Sequence, residues 1–254
     1  MRGVVLGAGL GIRLRPMTET IPKCLLDVGG CSILAVQLRM LGQIGVTDVV
    51  VVTGHAAWRL EEHAIPRFRC VHNPDFAVSN QAASLWAARE ELNGDSFLLF
   101  GDVVFSPRVL EDLLRSDAPH RLAVSRHGRY DEQADKVIDA QGRIRRLGKR
   151  RVACEDATGE FIGVAFLEAS AVDGFRAALE TTIRADRQAF LYDVYQRCVE
   201  MGTVVRAVDV TTPWIEIDTP EDLMRAREQV MPALGHRQTE GQGASPRTPT
   251  GGRG

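Results

Sequence analysis

Residues 4–30 read VVLGAGLGIRLRPMTETIPKCLLDVGG. A short apolar run, Val4 to Leu6, predicts a buried strand over residues 3–7. It feeds directly into Gly7, Gly9 and Gly11, with Arg13 and Lys23 close behind. Glycines let a backbone approach a bulky anion with its N–H groups turned inward. Two cations stand ready for the outer phosphates. This combination describes a triphosphate site at the end of a strand.

Working outward, strands and helices alternate. Ser32 to Ile44 predicts an amphipathic helix with Ser32 as N-cap and Gly45 just past its end. Asp48 to Thr53 (DVVVVT) is the β-branched run of a central parallel strand. A short helix over about 57–64, a strand near 69–72 and a helix over 80–92 follow. Ser96 to Phe100 predicts another buried strand, ending at Gly101-Asp102, and Ser106-Pro107 opens a helix. Beyond residue 120 the pattern predicts short polar strands near 121–126, 135–139 and 143–147, and a strand over 161–167. Helices near 170–181 and 190–201, a strand near 203–208 and a last helix over 219–230 complete the pattern, the last capped by Thr219. The alternation implies a doubly wound α/β sheet, Rossmann-like, mixed and mostly parallel, with helices on both faces. Ligands in such sheets sit at the carboxyl ends of the strands, where both the glycine loop and Gly101-Asp102 fall.

Composition narrows the classes. A chain of 254 residues with net charge −2 has no global attraction for nucleic acid or an anionic membrane. No stretch approaches the length of a membrane span, and no secretory signal is visible. Five cysteines, without a C-x-x-C pair, are expected as buried reduced thiols in a cytoplasmic protein. The six histidines show no metal-ligand spacing. The dinucleotide fingerprint G-x-G-x-x-G is absent, because Ile12 or Leu14 falls where its last glycine belongs. The G-x-x-x-x-G-K-[ST] phosphate loop is absent too.

The segment Leu6-Gly7-Ala8-Gly9-Leu10-Gly11-Ile12-Arg13-Leu14, followed by Pro22-Lys23, resembles the signature of the nucleotidyltransferases that activate sugar-1-phosphates and related phospho-alcohols. Gly101-Asp102, Phe161-Ile162-Gly163 and Trp214 to Asp222 (WIEIDTPED) resemble that family's metal aspartate, acceptor-site strand and closing motif. The resemblance spans roughly residues 1–230. It implies a GT-A-like nucleotidyltransferase domain over residues 1–232, with a disordered tail over 233–254.

The resemblance also implies a reaction: an acceptor phosphate oxygen attacks the α-phosphorus of a nucleoside triphosphate, and pyrophosphate leaves. Such an acceptor is already anionic, so positioning and electrostatics replace a general base. On this reading Leu6, Gly7, Ala8, Gly9, Gly11 and Gly101 cradle the nucleotide. Arg13 holds the β- and γ-phosphates, Lys23 bridges the α-phosphate and the acceptor, and Lys136 reaches the acceptor phosphate. Asp102 and Asp218, with Glu216 as a third or water-mediated ligand, hold Mg²⁺. The basic run Arg143 to Arg151 reads as a solvated hairpin.

Relatives that take UTP or dTTP carry a Gln-x-Gly-Thr-Ala-type segment, which this chain lacks. Ser79 to Trp86 (SNQAASLW) instead resembles the Asn-Asn-x-x-Ser-Leu element of the phosphocholine-cytidylyltransferase-like branch, with Gln81 in place of the second Asn. Asn80 and Ser84 then read the base and ribose edge, and CTP is the expected nucleotide. Phosphocholine, 2-aminoethylphosphonate and inositol-1-phosphate are the expected kinds of acceptor. The alternatives are a uridylyl-, thymidylyl- or guanylyltransferase acting on a hexose-1-phosphate, and a non-catalytic nucleotide-binding module. For the acceptor's distal group, Tyr130, Phe161, Tyr192 and Trp214 offer aromatic faces, and Glu160 and Asp193 offer carboxylates. The sequence does not choose among them. A monomer and a homodimer are both compatible with it.

Overall fold

The computed structural model describes residues 1–62, 68–126 and 129–235. The tail expected from residue 233 onward lies outside these from residue 236, and so do His63, His127 and His236. In chain order the elements begin with β1 (Arg2–Leu6), α1 (Ile33–Gln43), β2 (Asp48–Thr53), α2 (Trp58–Glu62), β3 (Arg69–His72) and α3 (Gln81–Ala87). Next come β4 (Ser96–Phe100), β5 (Val103–Phe105), α4 (Pro107–Arg115), β6 (His120–Ser125), β7 (Lys136–Ala140), β8 (Arg143–Leu147) and β9 (Gly159–Leu167). The chain continues through α5 (Val172–Ala185), α6 (Leu191–Glu200), β10 (Val205–Val210), β11 (Trp214–Glu216), α7 (Pro220–Arg225) and α8 (Met231–Ala233).

The main sheet runs β3-β2-β1-β4-β9-β6-β10-β8-β7, and β7 also pairs with β9. Antiparallel pairings reverse only β9 and β8 against the rest, so seven of its nine strands point the same way. Every residue of β4, and Val49 to Thr53 of β2, is buried. Successive side chains point to opposite faces, so both faces of the sheet are covered. One helical layer pairs α1 with α4, and the other packs α3, α5 and α6 together.

Some boundaries moved for physical reasons. The helix expected over 80–92 stops at Ala87 and continues as a tight turn over Arg89–Glu91. The last helix relaxes into a wider π-turn over Ala226–Val230. The strand expected as short and polar at 121–126 is β6, buried throughout. Arg121 passes there because its guanidinium bonds the carbonyls of Ala118 and Leu113 and pairs with Glu168. None of the five cysteines is in a disulfide: Cys24 and Cys198 are buried as expected, Cys31 and Cys154 are half-buried, and Cys70 is exposed. No helix among the described residues is long and apolar enough to cross a membrane.

The sheet places the site. β1 and β4 are neighbouring parallel strands in register, Leu6 opposite Phe100. Gly7 and Gly101 therefore leave the sheet side by side. A second, two-stranded sheet pairs β11 antiparallel to β5, with Glu216 opposite Val103.

Candidate active site

Beyond Leu6 the chain turns over the strand ends. Gly7 donates to Val52 O at 2.9 Å, and Gly101 donates to Leu6 O at 3.0 Å. At Gly101 a Cβ would stand 2.8 Å from Leu6 O and 3.0 Å from Gly7 Cα, so the two turns pack backbone on backbone. Gly11 has φ +60°, a conformation that glycine adopts without cost, and its carbonyl accepts from Thr18 Oγ1 at 2.7 Å. The short turn Ile12–Leu14 is pinned by fully buried Leu14, which leaves Arg13 outward over the cavity mouth. The turn Lys23–Leu25 is pinned in the same way by buried Cys24 and Leu25.

The charged centre is assembled from the two ends of the domain. Ile217 donates its N–H to Asp102 O at 2.9 Å, continuing the β5–β11 pairing by one step. Asp102, Glu216 and Asp218 then present carboxylate oxygens within 4.8 Å of one another. Lys23 Nζ bonds Asp102 Oδ2 at 2.7 Å and Asp218 Oδ1 at 2.5 Å. Arg13 Nη2 bonds Asp218 Oδ2 at 2.6 Å. Thr219 caps α7 in a reciprocal pair with Asp222, so the side chain of Asp218 is left for the site.

Burial pulls the Lys23 ammonium down, but Asp102 and Asp218 outweigh it and its pKa is pushed up to about 12. Burial raises Asp218, yet Lys23 and Arg13 hold its carboxyl below the usual range. Glu216 is pushed well above the usual range, first by burial and then by the charges of Asp102 and Asp218. Three carboxylates drawn this close need positive charge. Asp102 Oδ1, moreover, is buried without a hydrogen-bond partner. An all-oxygen donor set suits a hard divalent cation, whose opposite ligands stand about 4.2 Å apart when each bond is near 2.1 Å. The trio fits such an ion.

The cavity at these strand ends measures about 410 Å³, within the range of small-molecule sites. Its lining contains Leu6, Gly7, Ala8, Gly9, Gly11, Arg13, Lys23, Gly101, Asp102, Glu216 and Asp218. Asn80 and Ser84 line the same cavity. Asn80 caps α3 through Gln81 N, and Ser84 Oγ accepts from Asn73 Nδ2 at 3.1 Å. Gln81 has a structural task as well, since its Oε1 accepts from Leu191 N and ties α3 to α6.

Lys136 stands elsewhere. Its side chain is buried and its ammonium donates to Asp131 O at 3.0 Å, outside the cavity lining. A second lysine, Lys149, lines the cavity with Lys23, together with Phe190. Neither is marked by a motif in the sequence: Lys149 sits within the basic run Arg143 to Arg151, among residues that read as a solvated hairpin, and Phe190 directly precedes α6. The clue was Gly148, whose φ of +126° marks a turn that brings the run inward.

Comparison with known proteins agrees with this geometry. The MobA-like NTP transferase domain matches residues 3–242. The chain belongs to that family. Its members transfer a nucleotidyl group, which is the chemistry expected from the glycine loop and the carboxylate trio.

Among curated relatives, the CMP-5'-(3-aminopropyl)phosphonate synthase of Streptomyces rubellomurinus is 34% identical over 243 residues, 89% of this chain and 38% of that protein. The bifunctional IPC transferase and DIPP synthase of Aquifex aeolicus is 26% identical over 237 residues, 90% of this chain and 51% of that protein. The chain thus spans about half, or less, of these relatives' length. Among solved structures, the inositol-1-phosphate CTP transferase of T. maritima superposes with a TM-score of 0.72 at 25% identity, covering 90% of this chain and 97% of that one.

Proposed function

We propose that residues 1–232 form a cytidylyltransferase domain that transfers CMP from CTP to a small phosphorylated alcohol or phosphonate and releases pyrophosphate. The observation that carries this reading is the convergence of the glycine loop, Lys23 and the Asp102–Glu216–Asp218 trio at the joined ends of β1 and β4. The preference for cytidine is supported by the Asn80–Ser84 wall and by the named activities of the relatives.

In this mechanism the acceptor oxygen forms a bond to the α-phosphorus, and the bond from that phosphorus to the bridging oxygen breaks. Pyrophosphate departs with the electron pair. The Gly7–Gly11 loop receives the phosphates through its backbone. Lys23, protonated at every pH near neutrality, moves from its carboxylates onto the α-phosphate oxygens and keeps two anions together. Arg13 follows the departing charge. Asp102 and Asp218, with Glu216 beside them, would hold Mg²⁺, which would supply charge neutralisation and alignment of the phosphates. Lys149 lines the acceptor side.

The test is pyrophosphate release with each of the four common ribonucleoside triphosphates and dTTP, against phosphocholine, 2-aminoethylphosphonate, inositol-1-phosphate and glucose-1-phosphate. CTP-selective turnover with one of the first three is the expected result. Turnover confined to UTP, dTTP or GTP with glucose-1-phosphate overturns the cytidine assignment. No turnover with any pair favours a binding module.

A further inference from the structure

Lys149, which lines the cavity, is held by an ion pair whose carboxylate the reaction above does not use. Lys149 Nζ lies 3.4 Å from Asp135 Oδ1 and 5.6 Å from the centre of the Phe190 ring. Asp135 is only 8% exposed, and its Oδ1 receives no hydrogen bond. A buried carboxylate oxygen in that condition needs an N–H or O–H donor. Asp135 also feels the charges of Glu160 and Asp102.

Three of the six groups proposed from sequence for the acceptor's far end, Phe161, Tyr192 and Asp193, are committed elsewhere. Phe161 is buried in the core, edge-on to Phe100 and Tyr195. Tyr192 is stacked on Phe190. Asp193 pairs with Arg151 and bonds the N–H of Phe190. Phe161 and Tyr192 therefore do not form an open aromatic box for a quaternary ammonium. A trimethylammonium group, moreover, has no N–H to offer Asp135.

Resting on the cytidylyltransferase reading, we infer that Asp135 is the specificity-determining counter-ion for a primary ammonium on the acceptor. The acceptor is then a zwitterion, an aminoalkyl phosphonate or phosphate. Its anionic end takes Lys149 and its ammonium takes Asp135, so the substrate exchanges partners with a pair that the protein already holds. Desolvation is repaid, because neither buried charge is left alone. A neutral polyol phosphate would separate Lys149 from Asp135 and leave that carboxylate without a cation.

The experiment compares 2-aminoethylphosphonate and 3-aminopropylphosphonate with ethylphosphonate and propylphosphonate, in wild type and in Asp135→Asn, by pyrophosphate release. Wild type is expected to favour the amino acceptors. Asp135→Asn is expected to lower the ratio of amino to des-amino kcat/KM by about 10- to 100-fold, chiefly through KM. Cooperative thermal unfolding of the variant confirms its fold. If both classes fall equally and the ratio stands, Asp135 only positions Lys149 and the inference is overturned. Wild-type turnover of CTP with inositol-1-phosphate or phosphocholine, but with neither amino acceptor, also overturns it while leaving the CTP reading intact. Turnover restricted to another nucleotide defeats the CTP reading instead, and the amino-to-des-amino ratio is then read with that nucleotide.

Discussion

Ile217 donates its backbone N–H to the carbonyl of Asp102 at 2.9 Å. This one bond aligns a carboxylate from the middle of the chain with Asp218 from its far end, and the proposed chemistry depends on that alignment. Removing either carboxylate should therefore act on turnover before stability. Asp102→Ala is expected to lose about 100-fold or more in kcat in Mg²⁺, with cooperative unfolding retained. Near-normal pyrophosphate release from that variant would remove Asp102 from the metal site.

Lys23→Met takes away the cation shared by Asp102 and Asp218. The mutual repulsion of the trio is then unbalanced. Stability should fall by roughly 1–3 kcal/mol, and added Mg²⁺ should raise the variant's Tm by more than it raises that of wild type. Thermal unfolding with and without Mg²⁺ reads this directly. Equal Mg²⁺ shifts in the two proteins would show that the trio is not the metal site.

Two glycines of the site should separate stability from binding. Gly101→Ala drives a methyl to 2.8 Å from the Leu6 carbonyl, against backbone that cannot yield, and should cost about 1–3 kcal/mol. Gly9 has nothing within 4 Å of a Cβ position, and it lines the cavity. Gly9→Ala should unfold like wild type while the KM for nucleotide rises about 10-fold. Unfolding curves and nucleotide titrations on the two variants are sufficient. A large Tm loss in Gly9→Ala would contradict the open geometry.

Asp135 gives stability a pH signature. Burial pushes its carboxyl up to about 7, with Lys149 pulling the other way. Between the unfolded carboxylate pKa near 4 and about 7, the folded state binds the extra proton. This contribution is complete below the lower value and is lost as pH rises to about 7, at most about 1.4 kcal/mol per pH unit. His120 acts oppositely, since burial lowers its pKa to about 4 and acidification charges the unfolded state first. The two therefore offset each other in wild type. The difference in urea midpoints between wild type and Asp135→Asn, measured at pH 4.5 and 7.5, should move in favour of the variant at the higher pH. A pH-independent difference would mean that Asp135 is ionised throughout.

Lys149, in the cavity lining, and Lys136, outside it, should diverge. Lys149→Met is expected to lower kcat/KM for the acceptor by about 100-fold with little change in Tm. Lys136→Met removes a buried ammonium bonded to Asp131 O, and should appear first as a loss of stability. Steady-state kinetics paired with thermal unfolding checks both. The reverse ranking would return Lys136 to the acceptor phosphate.

Much of this was legible because local rules sufficed. The β-branched run of β2, the Ser32 and Thr219 caps and the strand-to-glycine transition at Leu6 each declare themselves within a few residues. Lys149, Phe190 and Asp135 did not, because nothing adjacent in sequence distinguishes an inward basic residue from the solvated arginines beside it. The side chain of Phe161 looked available for a ligand and is spent on the core.

The sequence by itself determined the α/β alternation, the glycine cradle and the identity of the charged groups, since these follow from periodicity, backbone freedom and side-chain chemistry. Only the tertiary structure decided which charges meet. The pairing of β5 with β11 carries Asp218 to Asp102 and Lys23, and the turn after β8 carries Lys149 to Asp135. Coulombic attraction and desolvation depend on distance in space, which only the folded sheet specifies.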